Sequence, residues 1–257
     1  MSVDLSFEVS GPADAPPVLL GSSVGTTHHM WDRQVDALAE RWRVVAFDTR
    51  GHGGSPVTDG PLTVPDLAGD VLALADSLGL STFGYCGLSL GGAIGQVLAA
   101  RHPDRVRALV LCCTSARFAD GADGWRERAA RVRSEGMEWL VEPSTARWFT
   151  AGFPDREPGE ADRLLDMLRQ MSPEGYAAAC EALAGFDGRP LLGDIAAPTL
   201  VLAGEEDPAT PVQMSEEIAA GVAGAELTVV RHASHLAAVE RPDVVTEAIA
   251  RHLERHL

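Results

Sequence analysis

The stretch Tyr85-Cys86-Gly87-Leu88-Ser89-Leu90-Gly91-Gly92 reads as a buried strand, a glycine-hinged turn and the start of a helix, with one serine at the apex. A serine hydroxyl attacks carbonyls poorly unless a base removes its proton and preorganised donors receive the oxyanion. A sharp strand-to-helix turn supplies such donors. Side chains at positions 87 and 91 would crowd it, so the Gly-x-Ser-x-Gly spacing marks a nucleophile elbow and nominates Ser89. The surroundings agree: a helical segment precedes the strand, and a β-rich apolar run follows the helix after the serine, which makes a βαβ unit with Ser89 at its turn.

Outward from that unit, strand-like runs fall at 5–9, 17–20, 42–47, 82–86, 108–113, 198–203 and 226–230. Amphipathic helical runs at 31–41, 64–80, 90–101, 211–220 and 242–256 separate most of them. The alternation predicts an α/β fold with a mainly parallel, doubly wound sheet covered on both faces. Between 115 and 194 the rhythm breaks into helical segments rich in arginine, acidic residues and tryptophan, punctuated by prolines. The predicted organisation is therefore a core of residues 1–114 and 195–257, with 115–194 inserted as a helical cap.

Composition narrows the function. The net charge of −16 argues against nucleic acid and against an anionic membrane surface as partners. It leaves room for a small anionic substrate. All 21 basic residues other than histidine are arginine, which removes a lysine Schiff base, a pyridoxal phosphate linkage and a Walker lysine. The four cysteines lack C-x-x-C spacing and read as buried thiols rather than zinc ligands or disulfides. Neither metal nor cofactor is expected, and without a leader or an apolar run of spanning length the expected location is the cytoplasm. A homo-oligomer is compatible with the sequence.

In open parallel sheets the catalytic groups gather beyond the carboxyl ends of strands. After 198–203 comes Gly204-Glu205-Glu206-Asp207-Pro208, and after 226–230 comes Arg231-His232-Ala233-Ser234-His235. Asp207 is the expected acid, with Glu205 and Glu206 as rivals, and His235 is the expected base rather than His232, which abuts the strand. The order serine, acid, histidine is that of α/β hydrolases. The amides of Leu90 and Ser23 are the expected oxyanion donors. His102, His252 and His256 read as cations at helix C-termini. His52 reads as a residue that shapes the site, and His28 and His29 as packing residues near the pocket.

With these motifs in place, the chain resembles the 3-oxoadipate enol-lactonases. The resemblance rests on Gly25-Thr26 through His29-Met30-Trp31-Asp32, on Phe47-Asp48-Thr49-Arg50-Gly51-His52-Gly53-Gly54-Ser55, and on the elbow with Ile94-Gly95-Gln96. It continues through Arg147-Trp148-Phe149-Thr150, Gly175-Tyr176-Ala177-Ala178, Asp207 to Pro211, and His235-Leu236 with Glu240-Arg241-Pro242. It implies an enzyme that opens 3-oxoadipate enol-lactone to 3-oxoadipate in aromatic-compound breakdown, through an acyl-enzyme on Ser89. That substrate carries a carboxylate, for which a cap arginine is expected: Arg133 first, then Arg131 or Arg147. Trp148 is the expected pocket wall. The alternatives are a carboxylesterase or another lactonase with the same triad, a cofactor-free perhydrolase, and, from a different class, a ligand-binding sensor with slow or no turnover.

Overall fold

The computed structural model describes residues 2–118 and 121–257. Seven strands, β1 (Phe7–Ser10), β2 (Pro17–Gly21), β3 (Arg43–Phe47), β4 (Phe83–Leu88), β5 (Val106–Cys112), β6 (Thr199–Gly204) and β7 (Glu226–Val230), form one sheet in the order β1-β3-β2-β4-β5-β6-β7. Only β1 runs antiparallel to its neighbour. The predicted α/β class and mainly parallel sheet are present. Burial follows the order: β4 and β6 are buried along their whole length, whereas β1 and β7, at the edges, are largely exposed. This is why the inner strands read as continuous apolar runs.

The helices are α1 (Asp32–Leu38), α2 (Val64–Ser77), α3 (Leu90–Arg101), α4 (Gly121–Glu135), α5 (Val141–Trp148), α6 (Phe153–Arg156), α7 (Pro158–Gln170), α8 (Pro173–Ala184), α9 (Val212–Gly221), α10 (Ala237–Glu240) and α11 (Pro242–His256). α1 packs with α11 and α2 with α3, so the helices of the sheet fall into two groups. α2 begins at a capping box in which the Thr63 side chain accepts from the Asp66 amide while the Asp66 carboxylate accepts from the Thr63 amide. The helix predicted over 31–41 is shorter. Residues His28–Trp31 form a 3-10 turn first, and the buried Trp31 indole donates to the Gly21 carbonyl at 3.3 Å. α2 likewise stops at Ser77 rather than 80, because the Leu80 amide turns back to the Ala75 carbonyl.

Between β5 and β6 the described chain contains α4 to α8 and no strand. α4 and α8 pack closely against one another. The ends of β2, β4, β6 and β7 therefore open toward the loops that carry Ser23, Ser89, Asp207 and His235.

Candidate active site

Ser89 leaves β4 with φ 56° and ψ −110°, a conformation that costs a residue with a side chain about 1–3 kcal/mol. Three hydrogen bonds hold it there. The Ser89 amide donates to the Cys112 carbonyl at 3.0 Å, and its own carbonyl accepts from the Thr114 hydroxyl at 2.7 Å and the Ala93 amide at 3.0 Å. The glycines on either side are obligatory: a Cβ on Gly87 would lie 2.2 Å from the Gly91 carbonyl oxygen, and one on Gly91 would lie 2.3 Å from the Gly21 carbonyl oxygen. Tyr85 fastens the turn from beneath, its hydroxyl donating to the Gly91 carbonyl at 3.0 Å.

His235 and Asp207 meet across the loops that follow β7 and β6. His235 Nδ1 lies 2.8 Å from Asp207 Oδ2, and both residues are buried. Asp207 also accepts from the Ala209 amide at 2.7 Å, the Thr210 amide at 2.9 Å and the Thr210 hydroxyl at 2.6 Å. Burial pushes this carboxyl up, but His235 and the Thr210 donors outweigh burial and leave it below its ordinary range. An ionised Asp207 on Nδ1 fixes the tautomer with Nε2 available as a base. His232 lies apart, exposed, with its amide on Glu205.

Ser89 and His235 line one cavity, together with Ser23, Val24, Trp125, Arg128, Arg147, Trp148 and Tyr176 among others. Among the described residues, none of the lining side chains is acidic. The helices between β5 and β6 thus supply much of the wall, including Trp148. Glu240 joins them to the histidine loop: one carboxylate oxygen accepts from the Thr150 amide and hydroxyl at 2.9 and 2.6 Å, the other from the Ser234 amide at 2.6 Å.

Two expectations change. Arg133 is absent from the cavity wall; its guanidinium lies outside, bonded to Glu174 and Glu181 of α8, and so ties α4 to α8. Arg131, bonded to Glu135 and stacked on Trp139, is outside as well. The arginines at the cavity are Arg128 and Arg147. Arg128 escaped the sequence reading, although it stands three residues after the buried Trp125 and four before the buried Val132, on the flank of the apolar stripe of α4. The second change concerns the oxyanion donors. The Ser23 amide donates to Met30 Sδ at 3.4 Å. Among the described residues the Val24 amide has no acceptor, and Val24 lines the cavity. The neighbouring Gly25 amide is held by His52 Nε2 at 3.1 Å, so His52 shapes this loop as expected. His28 and His29 do not reach the cavity.

Residues 16–242 match the alpha/beta hydrolase fold family. The chain belongs to that family. Among the relatives of this α/β hydrolase is 3-oxoadipate enol-lactonase 2 of Acinetobacter baylyi, 37% identical over 98% of this chain and 94% of the relative. The crystal structure of the enol-lactonase from Burkholderia xenovorans LB400 superposes with a TM-score of 0.95 at 40% identity, covering 97% of this chain and 96% of that one. A thermophilic esterase from Thermogutta terrifontis, solved with malate bound, gives 0.93 at 33% identity over 98% and 94%. The resemblance to the enol-lactonases is borne out, and the protein is a hydrolase of ester bonds. No helix among the described residues is long and apolar enough to cross a membrane.

Proposed function

We propose that this hydrolase opens the ring of a carboxylate-bearing enol-lactone, 3-oxoadipate enol-lactone, through an acyl-enzyme on Ser89. The observation that carries the proposal is one cavity holding Ser89, an Asp207-oriented His235 and two arginines, with no acidic side chain among the described residues of its wall. Residues 115–194 act as the cap that completes this cavity. The names of the enol-lactonase relatives support the substrate. Four free, buried cysteines fit a reducing cytoplasm.

His235 Nε2 takes the proton of Ser89 Oγ as the oxygen adds to the lactone carbonyl. The oxyanion sits between the amides of Leu90 and Val24, each worth on the order of 3 kcal/mol to the transition state. Collapse breaks the ring C–O bond and expels the enolate oxygen, which takes up the proton held by His235; the resulting enol tautomerises to the ketone. An enol leaves more easily than an alkoxide, so modest acid assistance suffices. Water, deprotonated by His235, then adds to the acyl carbonyl and releases Ser89 and the 3-oxo diacid. Arg128 or Arg147 grips the substrate carboxylate through its planar fork.

Steady-state kinetics of the enol-lactone beside a neutral aryl ester test this reading. Lactone turnover outpaces ester turnover in the wild type, and Arg128→Ala or Arg147→Ala raises KM for the lactone about tenfold or more, with the ester little changed. Brisk ester cleavage with poor lactone turnover, and equal losses on both substrates in the arginine variants, would transfer the site to a neutral ester. Ligand binding without turnover of either would make the protein a sensor.

A further inference from the structure

The described residues contain a cluster of ligating side chains far from this chemistry in role. Glu8 lies on β1, and His28 and His29 open the 3-10 turn after β2. Their ligand-capable atoms lie within 4.8 Å of one another. We propose that Glu8, His28 and His29 bind one transition-metal dication of the zinc type, which clips the edge strand β1 to the segment that carries the Val24 loop.

His28 is the decisive residue. It is 8% exposed, and its Nε2 is buried without a hydrogen-bond partner. Its Nδ1 lies 2.9 Å from Asp48 Oδ1, so Nδ1–H donates to the carboxylate and the Nε2 lone pair points away from it. A carboxylate behind a histidine is the arrangement that orients imidazole for a metal and raises its basicity. Asp48 is itself fixed by the His28 amide at 2.8 Å and the Gly54 amide at 2.9 Å. His28 Nε2 stands 3.7 Å from Glu8 Oε1, beyond hydrogen-bond reach. Nitrogen and oxygen ligands of one tetrahedral dication stand about 3.4 Å apart, so small shifts of the exposed Glu8 side chain suffice.

His29 completes the set. Its ring lies 4.1 Å from that of His28, centroid to centroid, and its Nδ1 is 3.2 Å from Asp32 Oδ1, a second imidazole with a carboxylate behind it. Three carboxylates, Glu8, Asp32 and Asp48, therefore surround the two imidazoles. Arg163, which is bonded to Asp32, also pairs with Glu160. That local excess of negative charge suits a dication. Two imidazoles and a carboxylate favour Zn2+, Co2+ or Ni2+ over Mg2+ or Ca2+, and three protein ligands leave the fourth position to water.

The test titrates the chelator-treated full chain with Co2+, read by its visible absorption, and with Zn2+, read by melting temperature. The expected result is saturable one-to-one binding that raises the melting temperature. Glu8→Ala and His29→Ala, both at exposed positions, each weaken it at least about tenfold and leave ester hydrolysis unchanged. His232→Ala, which removes the second, fully exposed cluster of Glu205, Glu206 and His232, has no effect. Absence of saturable binding, binding that survives Glu8→Ala and His29→Ala, or binding that follows His232 would each overturn the proposal.

Discussion

Single residues set how this protein answers to pH. His52 is wholly buried, and burial lowers it to about 4 against the smaller opposing pulls of the Arg50 carbonyl and Asp48. His252, on α11, is also lowered to about 4, first by burial and then by His256 and Arg255, with the Pro198 carbonyl and Glu226 opposing. Both are neutral in the folded chain, whereas the unfolded chain takes up their protons near 6.5. Their contribution is thus complete above pH 6.5 and is lost as the pH falls toward 4, at up to about 1.4 kcal/mol per pH unit for each. His28, raised by its hydrogen bond to Asp48, contributes in full below 6.5 and loses that contribution only as the pH rises above it, so it does not alter the slope inside this window. Melting temperature should fall between pH 6.5 and 4.5, and His252→Gln should flatten the fall. A flat profile, or one unchanged in the variant, would contradict this. The same residue shows what sequence cannot tell: near a helix C-terminus His252 reads as a cation favoured by the helix dipole, yet its ring is buried with Nε2 on the Pro198 carbonyl at 3.1 Å, 54 residues away. Ser89, Asp207 and His235 could be nominated because each stands just past a legible strand. The sequence points to Ser23 for the oxyanion hole, whereas Val24 is the proposed donor, since the choice depends on where one amide points and the Ser23 amide faces the Met30 thioether.

Among the elements, the elbow between β4 and α3 is the one whose sequence and geometry constrain each other most tightly. Gly87→Ala would drive a methyl into the Gly91 backbone, which has no room to yield. The expected cost is about 2–3 kcal/mol in denaturant unfolding, with most hydrolysis lost as Ser89 moves. Gly69→Ala, inside α2 with nothing within 4 Å of the new methyl, should instead stabilise by about 1 kcal/mol. Equal effects at the two positions would refute the steric account. Strands and the helices around the sheet were readable because buried parallel strands make short apolar runs and their helices keep one apolar face. Helix ends were less so: the turn of Leu80 back onto Ala75 carries no compositional mark. In α4 the arginine content is legible but its direction is not. Arg128 and Arg133 differ only in which side of the Trp125 stripe they flank, and that puts one at the cavity and the other on α8.

For the molecule as a whole, a chain of net charge −16 buries Asp48, Asp70 and Asp207 in hydrogen-bonded positions and, among the described residues, lines the cavity with two arginines and no acid. An anionic ligand in that cavity would meet arginine rather than acid. Glu240, which holds Thr150 and Ser234 together, makes the alignment of that segment with His235 part of the site. The central claim is covalent, and intact-protein mass spectrometry after rapid acid quench tests it most directly. Because ring opening leaves the expelled enol tethered to the acyl chain, wild-type protein mixed with excess enol-lactone should gain the mass of one whole lactone, located on the peptide containing Ser89, and Ser89→Ala should gain none and turn over at least about a thousandfold more slowly. Lactone hydrolysis that persists in Ser89→Ala, or an adduct on any other residue, would contradict the account.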